Sequence, residues 1–146
     1  MQCGFARWGV AFVEAQAPDA LRNAAQSEHA EIRAAAIAGL GEQIQALEDE
    51  DARRLLLGAL DDPASDVRAE ATTLLGKLHD PSWAQPMLLA RLEDQHPQIR
   101  KNAALSLMKL QATEALGELR RRKSMEKDQG VITILQLAID QLVVDD

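Results

Sequence analysis

Cysteine is almost missing. Cys3 stands alone among 146 residues, so no internal disulfide can form and a reducing compartment suits the chain. Aromatics are nearly as scarce, with two Trp, two Phe and no Tyr, 3% of the chain. An aromatic cage or a base-stacking surface is a poor fit to that supply. Positive charge is in deficit too: sixteen Lys and Arg face twenty-three Asp and Glu, a formal net charge of −7. A surface of that sign repels phosphate backbones, so no nucleic-acid partner is expected. Apolar runs last only a few residues against the roughly 20 that cross a bilayer, so no membrane span is expected either. The first residues carry Ala15-Gln16-Ala17, which mimics a cleavage site, but Arg7 sits inside the segment and Glu14 ends its apolar stretch. The segment therefore reads as an ordinary helix, and the protein as cytoplasmic. What is present is 47% hydrophobic residues in one domain's length of chain. That is enough to bury a core.

The chain repeats itself. Ile32-Arg33, Val67-Arg68 and Ile99-Arg100 align, 35 and 32 residues apart. Three residues beyond each Arg stands Ala (Ala36, Ala71, Ala103), and seven beyond stands Leu (Leu40, Leu75, Leu107). Gly41 and Gly76 follow that Leu in two copies. A fourth copy begins at Val131, with Ile132 in place of Arg. Five residues before each aliphatic come Ser27, Asp62, Asp94 and Glu126. A period in the low thirties with helical apolar spacing predicts stacked helical hairpins. Asp61-Asp62-Pro63, Asp80-Pro81-Ser82 and His96-Pro97 punctuate the helices. The predicted repeat helices are about 19–26, 30–46, 51–60, 65–78, 82–93, 97–110, 112–123 and 129–144, with residues 120–128 as a long connection and no strands.

The pattern of Asp, aliphatic-Arg, Ala and Leu-Gly resembles HEAT repeats, specifically the short phycobilisome-lyase HEAT-like subtype. The fullest copy runs from Pro86 in its first helix through Asp94, Ile99, Arg100 and Ala103 to Leu107. The resemblance covers about residues 18–144; the first copy has Ser27 for Asp, and the fourth lacks the Arg. It implies an all-α fold, an α-α superhelix (alpha-solenoid) of about four HEAT-like hairpins. Residues 1–17 would form an N-terminal helical cap and 18–146 the repeat domain. The subtype's name invites bilin attachment or detachment, but the repeat is shared with many non-enzymes.

The repeated charges read as scaffold. Arg33, Arg68 and Arg100, with Asp62 and Asp94, are expected to form a ladder at the hairpin turns, Arg68 holding Asp62. His29 and His96 occupy equivalent positions two repeats apart, on the order of 20 Å, too far to share a metal. Deoxyhypusine-type helical-repeat hydroxylases bind iron through His-Glu dipeptides. Here Ala30, Asp80 and Pro97 follow the histidines, so that chemistry is absent. No phosphate-binding glycine loop, activated cysteine or Ser-His-acid set is found. No catalytic residue, metal or cofactor is therefore expected.

Binding residues are read from helix faces and charge blocks. HEAT-like stacks bind along their second helices, which leaves Glu42, Glu70, Thr73, Lys77, Lys101, Asn102, Lys109, Thr133 and Gln136 facing outward. Residues 1–62 hold five bases and eleven acids, whereas 94–124 hold seven bases and three acids. The basic block peaks at Arg120, Arg121, Arg122 and Lys123, which suits an acidic partner or phosphate, or the end of a helix. The last helix carries aliphatics all round, from Val131 to Val144, which predicts a weak homodimer through Ile134 and Leu137. The N-terminal Trp8 and Phe12 are expected to fold back over the first repeat. The function expected is a non-catalytic protein-interaction module or adaptor, not an enzyme, binding one or more protein partners. The alternative is an accessory or lyase-like protein handling a bilin-type chromophore or another ligand.

Overall fold

The computed structural model describes residues 17–42, 50–78 and 80–144. Eight α-helices lie among them: α1 (Ala17–Ala24), α2 (Ala30–Glu42), α3 (Glu50–Leu60), α4 (Ser65–Leu75), α5 (Pro81–Arg91), α6 (Pro97–Lys109), α7 (Leu116–Met125) and α8 (Gln129–Val144). A short 3-10 turn, Thr113–Ala115, leads into α7. No strand occurs among the described residues. The predicted cap at 1–17, with Trp8 and Phe12, lies outside them except for Ala17.

The chain divides into two compact units, residues 1–71 and 72–146. In the first, α1 packs on α2, and α3 packs on both. In the second, α5 packs on α6, α7 on α8, and α6 on α8. Helix starts follow local chemistry. Asp80 caps α5 by accepting the Trp83 N–H at 3.3 Å, and Pro81 presets the first helical φ. His96 caps α6 with Nδ1 facing the Gln98 N–H at 3.4 Å, again with proline next. Pro86 lies inside α5, which continues to Arg91.

The repeat positions are the core. Ala36, Ala71 and Ala103 are fully buried, and Leu40, Leu75 and Leu107 nearly so. Val67, Ile99 and Val131 are buried, with Leu135 and Ile139 filling the Ala and Leu positions of the fourth copy. Ile32 departs from the pattern and is 42% exposed.

One expectation needs correction. The segment 120–128 is not a long connection: α7 runs on to Met125, leaving only Glu126 to Asp128 between α7 and α8. The aliphatics of α8 divide between a covered and an open side. Val131, Leu135, Ala138, Ile139 and Leu142 are buried, Ile132 and Ile134 half-buried, and only Leu137 and Val143 clearly exposed among its described aliphatics.

Candidate functional site

The turn residues come first, because they set where the helices of each hairpin start. Asp62 Oδ1 accepts the Ala64 N–H at 2.8 Å, and Asp94 Oδ1 accepts the His96 N–H at 2.8 Å. Glu126 Oε2 accepts the Asp128 N–H at 3.1 Å, and Ser27 Oγ accepts the His29 N–H at 3.1 Å. The serine of the first copy therefore closes its turn as the acids close theirs.

Each repeat arginine then reaches back six residues. Arg33 Nη1 donates to the Ser27 carbonyl at 2.9 Å, Arg68 Nη1 to that of Asp62 at 2.9 Å and Arg100 Nη1 to that of Asp94 at 2.8 Å. The remaining nitrogens of Arg33 and Arg100 reach forward to the following turn. Arg33 Nε and Nη2 hold the Asp62 carboxylate at 2.8 and 2.9 Å, and Arg100 holds Glu126 in the same bidentate manner. The carboxylate of Asp62 is thus held by the arginine of the preceding repeat, whereas Arg68 takes the main-chain carbonyls of Asp62 and Pro63. That corrects the expected pairing. Glu126 belongs to this set although sequence reasoning left it out; its place five residues before Val131 was the available signal.

The electrostatics follow from these contacts. The Arg33 hydrogen bonds hold the Asp62 carboxyl below the ordinary range, with the Ala64 N–H assisting against burial, and Asp62 in turn raises Arg33. For Glu126, burial alone would raise the carboxyl, but the bonds from Arg100 and the Asp128 N–H outweigh it and lower it.

The outward candidates scatter among local roles. Glu70, Lys77 and Lys109 are exposed, Thr73, Lys101 and Asn102 half-buried, and the Glu42 side chain lies outside the described set. Asn102 accepts from Gln98 Nε2 at 2.9 Å, and Thr133 Oγ1 donates to the Gln129 carbonyl at 3.0 Å. Lys101 extends to the start of α8, where a Cβ on Gly130 would lie 3.4 Å from its Nζ and 3.2 Å from Asp128 Oδ1.

The basic quartet splits in two. Arg121 pairs with Glu118 at 3.0 Å, which raises its pKa, and approaches Glu93 at 4.0 Å. Arg122 leans on Glu126 at 3.5 Å, while its buried Nε lacks a hydrogen-bond partner among the described residues. Arg120 and Lys123 make no ion pair with any described residue; with Ser124, Gln136 and Ile139 they line a cleft of about 310 Å³ between α7 and α8. A second cleft, of about 440 Å³, lies between the start of α5, at Pro81, Gln85 and Pro86, and the Leu110–Glu114 turn. Its lining carries a single charge, Glu114. Of the two self-association candidates, Leu137 is 42% exposed and Ile134 half-buried.

No group of three or more His, Cys, Asp or Glu placed to hold a metal occurs among the described residues. No described helix is long and apolar enough to cross a membrane.

Comparison with known proteins adds what this geometry leaves open. The chain is 38% identical, over 142 residues and 97% of its length, to the bilin biosynthesis protein MpeU of Synechococcus sp. (strain WH8020). It spans about half of that relative, 48% of its length. Among solved structures it resembles a chain in the complex of CpcE and CpcF of phycocyanin lyase from Nostoc sp. PCC7120. There the TM-score is 0.72 at 23% identity, covering 94% of this chain and 90% of that one. That likeness is one of fold, and with it the fold class is an all-α solenoid of HEAT-like hairpins. The MpeU relationship overturns the expectations of a non-catalytic adaptor and of a protein that is no enzyme. It favours instead the chromophore-handling alternative. The physical reason for the error is that the repeated residues report packing, and packing is common to enzymes and non-enzymes of this architecture. The family model described as HEAT repeats matches residues 7–76 and 52–139, and the chain belongs to that family.

Proposed function

We propose that this chain handles a bilin-type chromophore as a lyase-like protein, and that it does so together with a second HEAT-repeat chain. The observation that carries the reading is the 38% identity, along nearly the whole chain, to a bilin biosynthesis protein. One further observation supports the partner: the solved structure the chain resembles is a complex of two proteins. The outward candidates on α6 and α8, Lys101, Asn102, Lys109, Thr133 and Gln136, are polar and include no Trp or Tyr anchor, so a partner contact through them would be modest and polar. A cytoplasmic site of action belongs to the same reading.

The test has two arms. The purified chain is titrated with a linear tetrapyrrole while the visible spectrum is followed. The chain is also co-expressed with a bilin and a phycocyanin-type acceptor subunit, alone and with a second HEAT-repeat chain. The acceptor's covalently held chromophore is then read by zinc-enhanced fluorescence after denaturing electrophoresis. A saturable spectral shift is expected, together with a change in acceptor-bound chromophore that is largest when both HEAT chains are present. An unchanged spectrum with unchanged acceptor loading would overturn the reading.

A further inference from the structure

The cleft between α7 and α8 is built from unlike materials. On one wall stand Arg120 and Lys123, three residues apart and therefore on one face of α7. Neither is neutralised by a described acid, although this chain carries a net charge of −7. The quartet's other two members are paired to Glu118 and Glu126, which leaves these two as the cations turned to the cleft. The opposite wall comes from α8. Gln136 is pinned there by its own bond to Asp140, Nε2 to Oδ1 at 2.7 Å, and Ile139, only 6% exposed, supplies an apolar floor. Two like charges this close on one helix face repel each other, and an anion between them relieves that cost. The floor adds a preference for an anion carried on an apolar body. A bare inorganic ion would gain nothing from it.

We infer that Arg120 and Lys123 form a carboxylate subsite that grips a propionate side chain of the bilin, with the adjoining pyrrole ring against Ile139. This rests on the chromophore-handling reading above. The cleft's volume of about 310 Å³ is at the small end of ligand pockets, which run roughly 300–1,000 Å³, so it takes one end of a four-ring chromophore rather than the whole. Arg120 supplies a planar fork for the two carboxylate oxygens and Lys123 a point charge beside it.

The experiment compares one bilin in two forms, the free diacid and its dimethyl ester, titrated against the wild-type chain and the double variant Arg120→Ala with Lys123→Ala. The wild type is expected to bind the diacid about tenfold or more tightly than the ester, with the advantage shrinking as salt rises. The double variant should lose that advantage while binding the ester as the wild type does. The charge-conserving pair Arg120→Lys with Lys123→Arg should retain most of it. Circular dichroism melts should coincide for all three proteins, because neither side chain has an ion pair to lose. Wild-type binding of both forms with no preference, or a double variant that keeps the preference, would overturn the subsite and leave the chromophore reading standing. A wild type that binds neither form would overturn both.

Discussion

Arg100 grips Glu126 with two parallel bonds, Nε to Oε1 at 2.8 Å and Nη2 to Oε2 at 2.9 Å, and the glutamate side chain is only 1% exposed. The same guanidinium holds the carbonyls of Asp94 at 2.8 Å and Gln95 at 3.1 Å. One side chain thus ties the turn that opens its own hairpin's second helix to the turn that precedes α8. Arg100→Met keeps the aliphatic stem and removes all four bonds. It should cost about 3 kcal/mol, between the penalty for one orphaned buried group and that for a fully buried broken pair. Urea unfolding followed by circular dichroism measures it. Adding Glu126→Leu should recover only part of the loss, since it removes the carboxylate left without Arg100 but also the bonds that carboxylate accepts from the Asp128 N–H and Arg122. A loss under about 0.5 kcal/mol, within the range of ordinary surface changes, would show that the pair is not structural.

Acid should find the same contacts. Asp62 and Glu126 both titrate below their ordinary values of 3.8 and 4.5. Between the folded and unfolded values the unfolded chain binds more protons, so stability rises with pH there. The stabilisation is fully present above the ordinary values and disappears as pH falls through the lower folded ones. Tm should therefore be flat from neutrality to about pH 5 and fall below about pH 4. Glu126→Gln should start from a lower plateau and show a shallower acid limb. An acid limb identical to the wild type's would remove Glu126 from the set of linked groups.

Gly76 and Ser106 allow a close approach between the end of α4 and α6. A Cβ on Gly76 would sit 2.5 Å from Ser106 Oγ, 2.7 Å from its Cβ and 2.9 Å from its Cα. The last of these is backbone and cannot swing aside. Ser106 Oγ is also committed, donating to the Thr72 carbonyl at 3.1 Å in a buried setting. Gly76→Ala should therefore destabilise by about 1–3 kcal/mol through overpacking. Gly58→Ala is the matched control: nothing lies within 4 Å of a Cβ there, and it sits inside α3. That change should stabilise by about 0.5–1 kcal/mol from helix propensity. Equal effects at the two glycines would refute the contact argument.

Much of this fold is legible in the chain itself, for identifiable reasons. Asp80-Pro81 and His96-Pro97 mark helix starts because capping acceptors and fixed proline φ act locally. The Ala and Leu positions mark the core because helical periodicity survives in a single sequence. The connection at 120–128 is drawn too long because the mostly charged run from Arg120 to Asp128 has almost no apolar periodicity to mark where the helix ends. In the structure the i,i+3 pair of Arg121 with Glu118 and the i,i+4 pair of Arg122 with Glu126 support a helix as far as Met125. The ladder's register, Arg33 to Asp62 and Arg100 to Glu126, lies 29 and 26 residues forward, and no local rule specifies so distant a partner. The cleft at Arg120 and Lys123 is illegible for the same reason, since its far wall comes from α8. The chemistry was least legible of all. A repeat built for stacking does not itself name a ligand: the resemblance to the phycobilisome-lyase subtype offered a bilin only as the alternative, and the likeness to a bilin biosynthesis protein is what favours it.

The end of α6 offers a test in the opposite direction, a substitution expected to stabilise. Gln111 has φ 55°, the left-handed region that a side chain makes costly. It is held there by two bonds that close the helix: its own N–H donates to the Met108 carbonyl at 3.0 Å, and the Ala112 N–H donates to that of Leu107 at 3.1 Å. This is the Schellman arrangement, in which glycine is the usual residue at the left-handed position, and Ala112 beyond it is buried as that arrangement favours. Gln111→Gly relieves the steric cost in the folded state but gives the unfolded chain more freedom, so the two terms partly offset. The net gain should be about 0.5–1 kcal/mol, read as a higher urea midpoint at unchanged slope. Gln111→Val, β-branched and more strongly excluded from that region, should lose stability instead. The ordering Gly above Gln above Val is the expected result. A glycine variant less stable than the wild type would mean that the glutamine side chain contributes more at the Leu110–Glu114 turn than its backbone conformation costs.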